Sequence, residues 1–202
     1  MPTSVLLEAL LALKRDLQAG RVAPEEGEVV VSGMHDLLDE LGSADRKADE
    51  EAPERPVLMM GVPGRDPLDA VVLELARVLL REEPMTLEVL SPDLMTGEAL
   101  AAIEEKAPAA VVVPSLPPAG LAPARQLCMR LRARVPALTI VAARLGDPES
   151  EAGDRVALLE TAGCANVAVS LPALKSTLQS IARSAREGAP AGGAALAASG
   201  RG

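Results

Sequence analysis

The chain has 202 residues, a net charge of −9 and an isoelectric point near 4.8. This acidic balance opposes attraction to phosphate backbones. The complete absence of Phe, Tyr and Trp removes the rings on which single-stranded nucleic acids stack, so we expect no nucleic-acid partner. The length suits one domain of about 130 residues with an accessory segment.

Residues 1–41 are predicted to form a helical hairpin. Residues 4–19 and 24–41 both place apolar side chains at helical spacing, and Gly20 separates them. The apolar stretch from Val5 to Leu13 is far shorter than the ~20 residues that span a bilayer. No basic segment precedes it, so we expect neither a signal peptide nor a direct membrane span, and a cytoplasmic location.

The hairpin is followed by a stretch with a different composition. Residues 42–56 are charged and poor in apolar side chains, which is typical of a linker, here an acidic one. Residues 188–202 are rich in Gly and Ala without large apolar groups, and we expect this tail to be disordered. The segment between them, residues 57–187, is predicted to be an α/β domain.

The α/β prediction rests on five aliphatic runs that alternate with amphipathic stretches. The runs are Val57–Val62, Leu87–Leu90, Ala109–Val113, Leu138–Ala142 and Asn166–Val169. Such continuous runs suit parallel strands that are buried on both faces. The predicted helices fall at about 67–82, 96–106, 122–134, 150–162 and 172–186. We therefore predict a doubly wound, five-stranded parallel sheet of order 2-1-3-4-5, preceded by the hairpin.

Ligands of such sheets bind at the carboxyl ends of the strands, which directs attention to three loops. The first loop carries Gly64, Arg65 and Asp66, the third-strand loop carries Ser115, and the fourth-strand loop carries Arg144. We expect these five residues to bind a small anion or polar ligand, with the two arginines as a cationic rim. The alternatives are an ordinary helix cap with a solvated Arg65 and a structural hydrogen bond for Ser115.

The sequence gives no sign of catalysis. Ser115 has no neighbouring base, and the single histidine, His35, lies among acids on the hairpin, where we expect it at the surface. Receiver-type phosphorylation fails because Pro114 and Ser115 occupy the place of the phosphorylated Asp. Cys128 and Cys164 lack metal-ligand spacing and are expected to be buried thiols in a reducing compartment. We predict a protein that is not an enzyme.

Two segments, Val62–Asp69 and Val113–Leu116, resemble the corresponding turns of the cobalamin-binding, flavodoxin-like fold. In that family a DxHxxG motif supplies a cobalt-ligating His, and a Ser after the third strand contacts the nucleotide tail. Ser115 matches that Ser, but Leu68 stands at the His position and Val71 at the Gly position. The resemblance thus implies the fold without cobalt ligation from this loop. We predict no cofactor, with cobalamin as a ligand only under the alternative function below.

A second resemblance is to the soluble C-terminal region of permeases of the autoinducer-2 exporter family. It is carried by Val5–Gly20, Val62–Asp66 and Ala124–Pro136. It implies a non-catalytic, cytoplasmic regulatory or interaction module associated with a transporter, whose partner is a membrane protein or a second copy in a homodimer. The alternative is a sensor that binds a corrinoid in its base-on form, or a small anionic or nucleotide ligand.

Overall fold

The computed structural model describes residues 2–44, 56–64, 66–147 and 149–188. Its centre is a parallel sheet of five strands in the order β2-β1-β3-β4-β5. The strands are β1 (Val57–Gly61), β2 (Met85–Val89), β3 (Ala110–Ser115), β4 (Ile140–Arg144) and β5 (Asn166–Ala168). The predicted fold, a flavodoxin-like α/β sheet of order 2-1-3-4-5, is confirmed.

Seven helices surround the sheet in the described part of the chain. They are α1 (Pro2–Gln18), α2 (Pro24–Ala44), α3 (Pro67–Leu80), α4 (Thr96–Lys106), α5 (Leu121–Arg134), α6 (Glu149–Thr161) and α7 (Leu171–Gly188). None of these helices is long and apolar enough to cross a membrane. The α2 helix runs three residues further than predicted. The rest of the predicted linker, residues 45–55, and the tail from residue 189 lie outside the described residues.

The core has two layers, one on each face of the sheet. One layer packs α3 and α7 against the strands, and the other packs α4, α5 and α6 against the opposite face. The strand side chains that fill both layers are Val, Met, Ala and Ile, such as Met59 in one layer and Met60 in the other. Alternate residues of a strand point to opposite faces, so continuous aliphatic runs supply both layers without any aromatic ring.

The hairpin of α1 and α2 packs onto α3 and belongs to the first core layer. Leu10, Leu13 and Leu38 are buried there together with Leu75 of α3. Leu11 of α1 also contacts Gly146, which follows β4 with a φ of +90°. A Cβ at that glycine would overlap the leucine side chain. The hairpin therefore lies over the carboxyl end of the sheet on the α3 side, which positions it beside any site at that edge.

The two cysteines, predicted to be buried, are buried and also adjacent. Cys128 of α5 and Cys164 before β5 are 0% and 7% exposed, and their sulfur atoms lie 3.2 Å apart. The hydrogen bond to Cys164, together with burial, raises the pKa of Cys128. The same hydrogen bond lowers the pKa of Cys164, so that sulfur is protected by its burial and not by protonation. We therefore expect no reaction of either thiol with a charged disulfide reagent in the folded protein, and reaction of both in denaturant. Treatment with diamide, a two-electron oxidant, should then remove both thiols together as one intrachain disulfide. Fast labelling of the folded chain would contradict this burial.

Candidate functional site

The carboxyl ends of β3 and β4 carry two of the predicted site residues. Ser115 and Arg144 are the last residues of their strands and stand opposite each other in the register of the sheet. Both residues are fully buried. The strands were expected to end two residues earlier, which would have placed these side chains in surface loops.

Arg144 uses its guanidinium inside the protein. It donates to both carboxylate oxygens of Asp147, at 2.5 and 2.8 Å, to Ser115 Oγ at 2.9 Å and to the carbonyl oxygen of Ala119 at 2.8 Å. Asp147 is itself only 2% exposed and receives a further hydrogen bond from Arg155 at 3.2 Å. This bidentate ion pair compensates both charges, which are buried away from water.

The expected cationic rim is therefore corrected at Arg144. A guanidinium with no exposure that is saturated by its own chain is not a surface charge for an anion. Ser115 accepts one of its hydrogen bonds, so the serine hydroxyl ties β3 to β4. Arg65, the other expected member of the rim, lies outside the described residues.

Asp66 begins α3 and connects it to the hairpin. Its carboxylate accepts a hydrogen bond from the backbone N–H of Leu68 at 3.0 Å, and Pro67 occupies the first helical position, as the sequence indicated. The other oxygen lies 2.7 Å from Nζ of Lys14, a side chain of α1 that is only 3% exposed. One aspartate thus both caps a helix and holds a buried cation of the hairpin.

Asp69 is a buried acid that the sequence interpretation missed as a site residue. It is 5% exposed, and burial raises its pKa from 3.8 to about 7, against the opposing effects of Lys14, Arg144 and a hydrogen bond from the Gly64 backbone. A side chain at Gly64 would overlap Oδ2 of Asp69, so this glycine lets the loop approach the carboxyl group. Among the described residues, Oδ1 has no hydrogen-bond partner.

The sequence contains a pattern that indicates the burial of Asp69. It stands inside the run from Leu68 to Leu73, which is otherwise wholly apolar. A helix that is apolar on every side is buried on every side, and an acid within it must be buried too. The sequence interpretation assigned Asp69 to the helix start instead.

A groove of about 910 Å³ lies on the side of the sheet away from the hairpin. Its walls come from the loops after β1 and β2, the start of α4 and one face of α5, so it spans the point between β1 and β3 where strand order reverses. Gly64 and Asp69 line it. Most of the other lining residues are apolar, and its remaining charged residues within the described chain are Asp93 and Arg130.

A smaller cavity of about 460 Å³ lies between the hairpin and α3. His35, Asp66 and Leu68 line it, together with apolar residues of α1 and α2 such as Leu17 and Val31. His35 is thus half-buried at a cavity, which corrects the expectation that it lies at the surface. The four predicted ligand residues that the structure describes do not converge, because Gly64 lines the groove, Asp66 lines this cavity, and Ser115 and Arg144 are internal.

The α3 residues do not fit a cobalt-ligating site. Leu68 and Val71, which occupy the His and Gly positions of the cobalamin motif, are 3% and 1% exposed and belong to the first core layer. Neither side chain offers a donor atom to a metal. Ligation of a corrinoid from this helix is therefore ruled out by its chemistry.

Comparison with known proteins gives similarity at the level of the fold. No family model matches the chain, and no curated protein matches it. A cobalamin-binding protein from Desulfitobacterium hafniense is 12% identical, with a TM-score of 0.52 over 89% of this chain and 81% of that one. A putative response regulator from Chloroflexus aurantiacus is 19% identical, with a TM-score of 0.48 over 64% and 99%. The likeness to the cobalamin-binding protein is a likeness of fold, the flavodoxin-like one. The comparisons give no support to the expected kinship with autoinducer-2 exporters.

Proposed function

We propose that this chain is a non-catalytic regulatory module whose groove at the switch point of the sheet binds a small ligand and whose hairpin responds to it. The observation that carries the proposal is Asp69. It lines the groove, and it is electrostatically coupled to Lys14 of the hairpin. A ligand at the groove wall therefore changes the charge environment of α1.

The geometry of the hairpin supports this coupling. Lys14 lies 2.7 Å from Asp66, three residues before Asp69 on the same helical turn. The buried Lys14 ammonium stabilises the charged form of Asp69, so a ligand that neutralises this carboxylate weakens the attraction that holds Lys14. Binding on one side of α3 would thus bias the packing of the hairpin on the other.

The burial of Ser115, the candidate nucleophile, supports a non-catalytic role. Ser115 is fully buried and accepts a hydrogen bond from Arg144. His35, which would have to act as the base, lines the cavity beside the hairpin instead. A serine nucleophile needs a base within hydrogen-bond reach.

The test is a thermal-unfolding panel, followed by circular dichroism, with hydroxocobalamin and a set of nucleotides and amines. Ala122 is an exposed residue of α5 that lines the groove, so Ala122→Trp should fill it. We expect at least one compound to raise the unfolding temperature of the wild type and to lose this effect in Ala122→Trp. The introduced Trp would be the only aromatic ring of the chain, so its fluorescence reports on the groove directly.

The matched control is Ala133→Trp, at an exposed position of the same helix that is not among the groove residues. It should leave the ligand-induced shift unchanged. A shift that survives Ala122→Trp would place binding elsewhere and contradict the proposal. Silence of the whole panel would also contradict it and would favour a scaffold.

Docking to a protein partner is the second candidate function. Its support is the outer face of the hairpin, where Val5, Val29, Val30 and Leu37 are exposed. Under this second candidate function, the partner is a second copy of this chain or the soluble part of a membrane transporter. Light scattering of the wild type against Val29→Lys tests the first partner, since a dimer through this face should dissociate in the variant.

A further inference from the structure

We propose that the groove selects a ligand with an apolar body and a positively charged nitrogen, an alkylammonium ion in the simplest case, and that this nitrogen pairs with the carboxylate of Asp69. The inference deepens the proposed function and rests on it, because it names the chemical class that the groove takes. The named juxtaposition is one buried carboxyl group, with an oxygen that lacks a donor among the described residues, in a mostly apolar wall.

The carboxyl group supplies the first part of the argument. Asp69 is 5% exposed, and its Oδ1 has no hydrogen-bond donor among the described residues. The two buried cations nearby are engaged elsewhere, Lys14 by Asp66 at 2.7 Å and Arg144 by Asp147 and Ser115. A buried acceptor without a donor destabilises the folded chain. A ligand that brings a donor to it recovers that free energy on binding.

The other residues of the groove wall favour an aliphatic body for the ligand. The side chains of Pro63, Leu90, Leu94 and Leu127 offer aliphatic surface, and the sequence contains no Phe, Tyr or Trp to stack on a planar ligand. Burial of alkyl groups against such a wall strengthens binding with each CH₂ that leaves water. An extended or alicyclic aliphatic body therefore fits better than a nucleobase.

Charge in the groove favours a cation over an anion. The charged residues that line it within the described chain are Asp69, Asp93 and Arg130, two acids against one base. The guanidinium that was expected to attract an anion, that of Arg144, is internal. Anionic ligands would therefore meet like charge beside the apolar surface.

The pH dependence follows from the groups that face Asp69. These are Lys14 on α1, Asp66 at the start of α3 and Arg144 on β4, and burial outweighs the two cations, which raises the pKa to about 7. The ammonium ion binds the ionised carboxylate. Its affinity should therefore be constant above this pKa and fall by about tenfold for each pH unit below it.

The experiment is calorimetric titration at pH 8 and pH 6 with three probes of equal length: n-hexylammonium, hexan-1-ol and hexanoate. We expect hexylammonium to bind at least about tenfold more tightly than either other probe at pH 8. Its own affinity should be about tenfold weaker at pH 6 than at pH 8. In Asp69→Asn, which keeps the shape of the side chain, this preference and the pH dependence should disappear while hexanol binding persists. Asp93→Asn, an exposed acid of the same groove, should keep both.

The outcomes separate the inference from the proposed function. Equal binding of hexanol and hexylammonium, unchanged by Asp69→Asn, would overturn the inference and leave the groove as an apolar ligand site. Tighter binding of hexanoate would overturn it in the same way. Absence of heat with all three probes, together with silence of the wider panel, would overturn both. The Asp69→Asn variant should remain folded, because the substitution removes a carboxyl group whose ionisation destabilises the folded chain. Its circular dichroism spectrum should match that of the wild type, so a change in binding can be assigned to the lost charge.

Discussion

Arg144→Met should lower the free energy of unfolding by about 3 to 5 kcal/mol, the cost of leaving a buried ion without its partner. The substitution keeps the length of the side chain but removes the hydrogen bonds that Arg144 donates to Asp147, Ser115 Oγ and the carbonyl oxygen of Ala119. Asp147, at 2% exposure, would keep only the contact from Arg155 at 3.2 Å. Urea unfolding followed by far-ultraviolet circular dichroism measures the loss.

The control for this prediction is Arg134→Met. Its guanidinium forms an exposed ion pair with Glu104 at 2.9 Å, and such pairs contribute about 0.2 to 1 kcal/mol. The double variant Arg144→Met with Asp147→Leu should recover part of the loss, because both charges then leave the interior together. If Arg144→Met lowered the free energy of unfolding by less than about 1 kcal/mol, the Asp147 carboxylate would be hydrated in the variant. The packing of β3 against β4 would then not depend on the hydrogen bonds of Arg144.

Asp69→Asn should make the protein more stable at pH 8, by up to about 4 kcal/mol. The carboxyl group has a pKa of 3.8 in its ordinary state and about 7 in the folded chain. Its stabilising contribution is therefore complete below pH 3.8 and is lost as the pH rises through about 7. Between pH 5 and pH 8 the wild type should lose about 3 kcal/mol through this group, and the variant should not.

The measurement is the difference in unfolding free energy between variant and wild type across that range, in which the other carboxyl groups cancel. Asp93→Asn is the matched control, because it removes an exposed acid from the same groove, and it should not produce the gain in stability at pH 8 that is expected of Asp69→Asn. A constant difference for Asp69→Asn would mean that the carboxyl group is solvated or paired in solution.

The sequence was sufficient for the fold because its signals are local and periodic. The runs that begin at Val57 and Ala109 indicate buried strands. Pro67 indicates the first residue of a helix, and the structure begins α3 at that residue. The error at the strand ends has a specific cause. The predicted third run ended at Val113, one residue before Pro114. The pairing of β1 with β3 ends at Val112, so β3 can continue through a residue without an N–H while it pairs with β4.

The candidate site was harder to predict because its connections are distant in sequence. Nothing local to Lys14 indicates that its ammonium will lie 2.7 Å from Asp66, more than fifty residues away. Arg144 was correctly placed beside Ser115 at the carboxyl edge of the sheet. Its role was misjudged, because a shift of two residues at a strand end exchanges a surface side chain for a buried one.

The central claim is that Asp69 is a buried carboxyl group in the groove wall whose Oδ1 has no donor among the described residues, and both the ligand class and the link to the hairpin depend on it. Its titration by carbon-13 NMR of the carboxyl carbon, assigned by the loss of that signal in Asp69→Asn, tests the claim without any ligand. The structure predicts a midpoint near pH 7, well above the ordinary value of 3.8 for this carboxyl group. A midpoint near 4 would mean that the group is solvated or paired, and it would contradict the account.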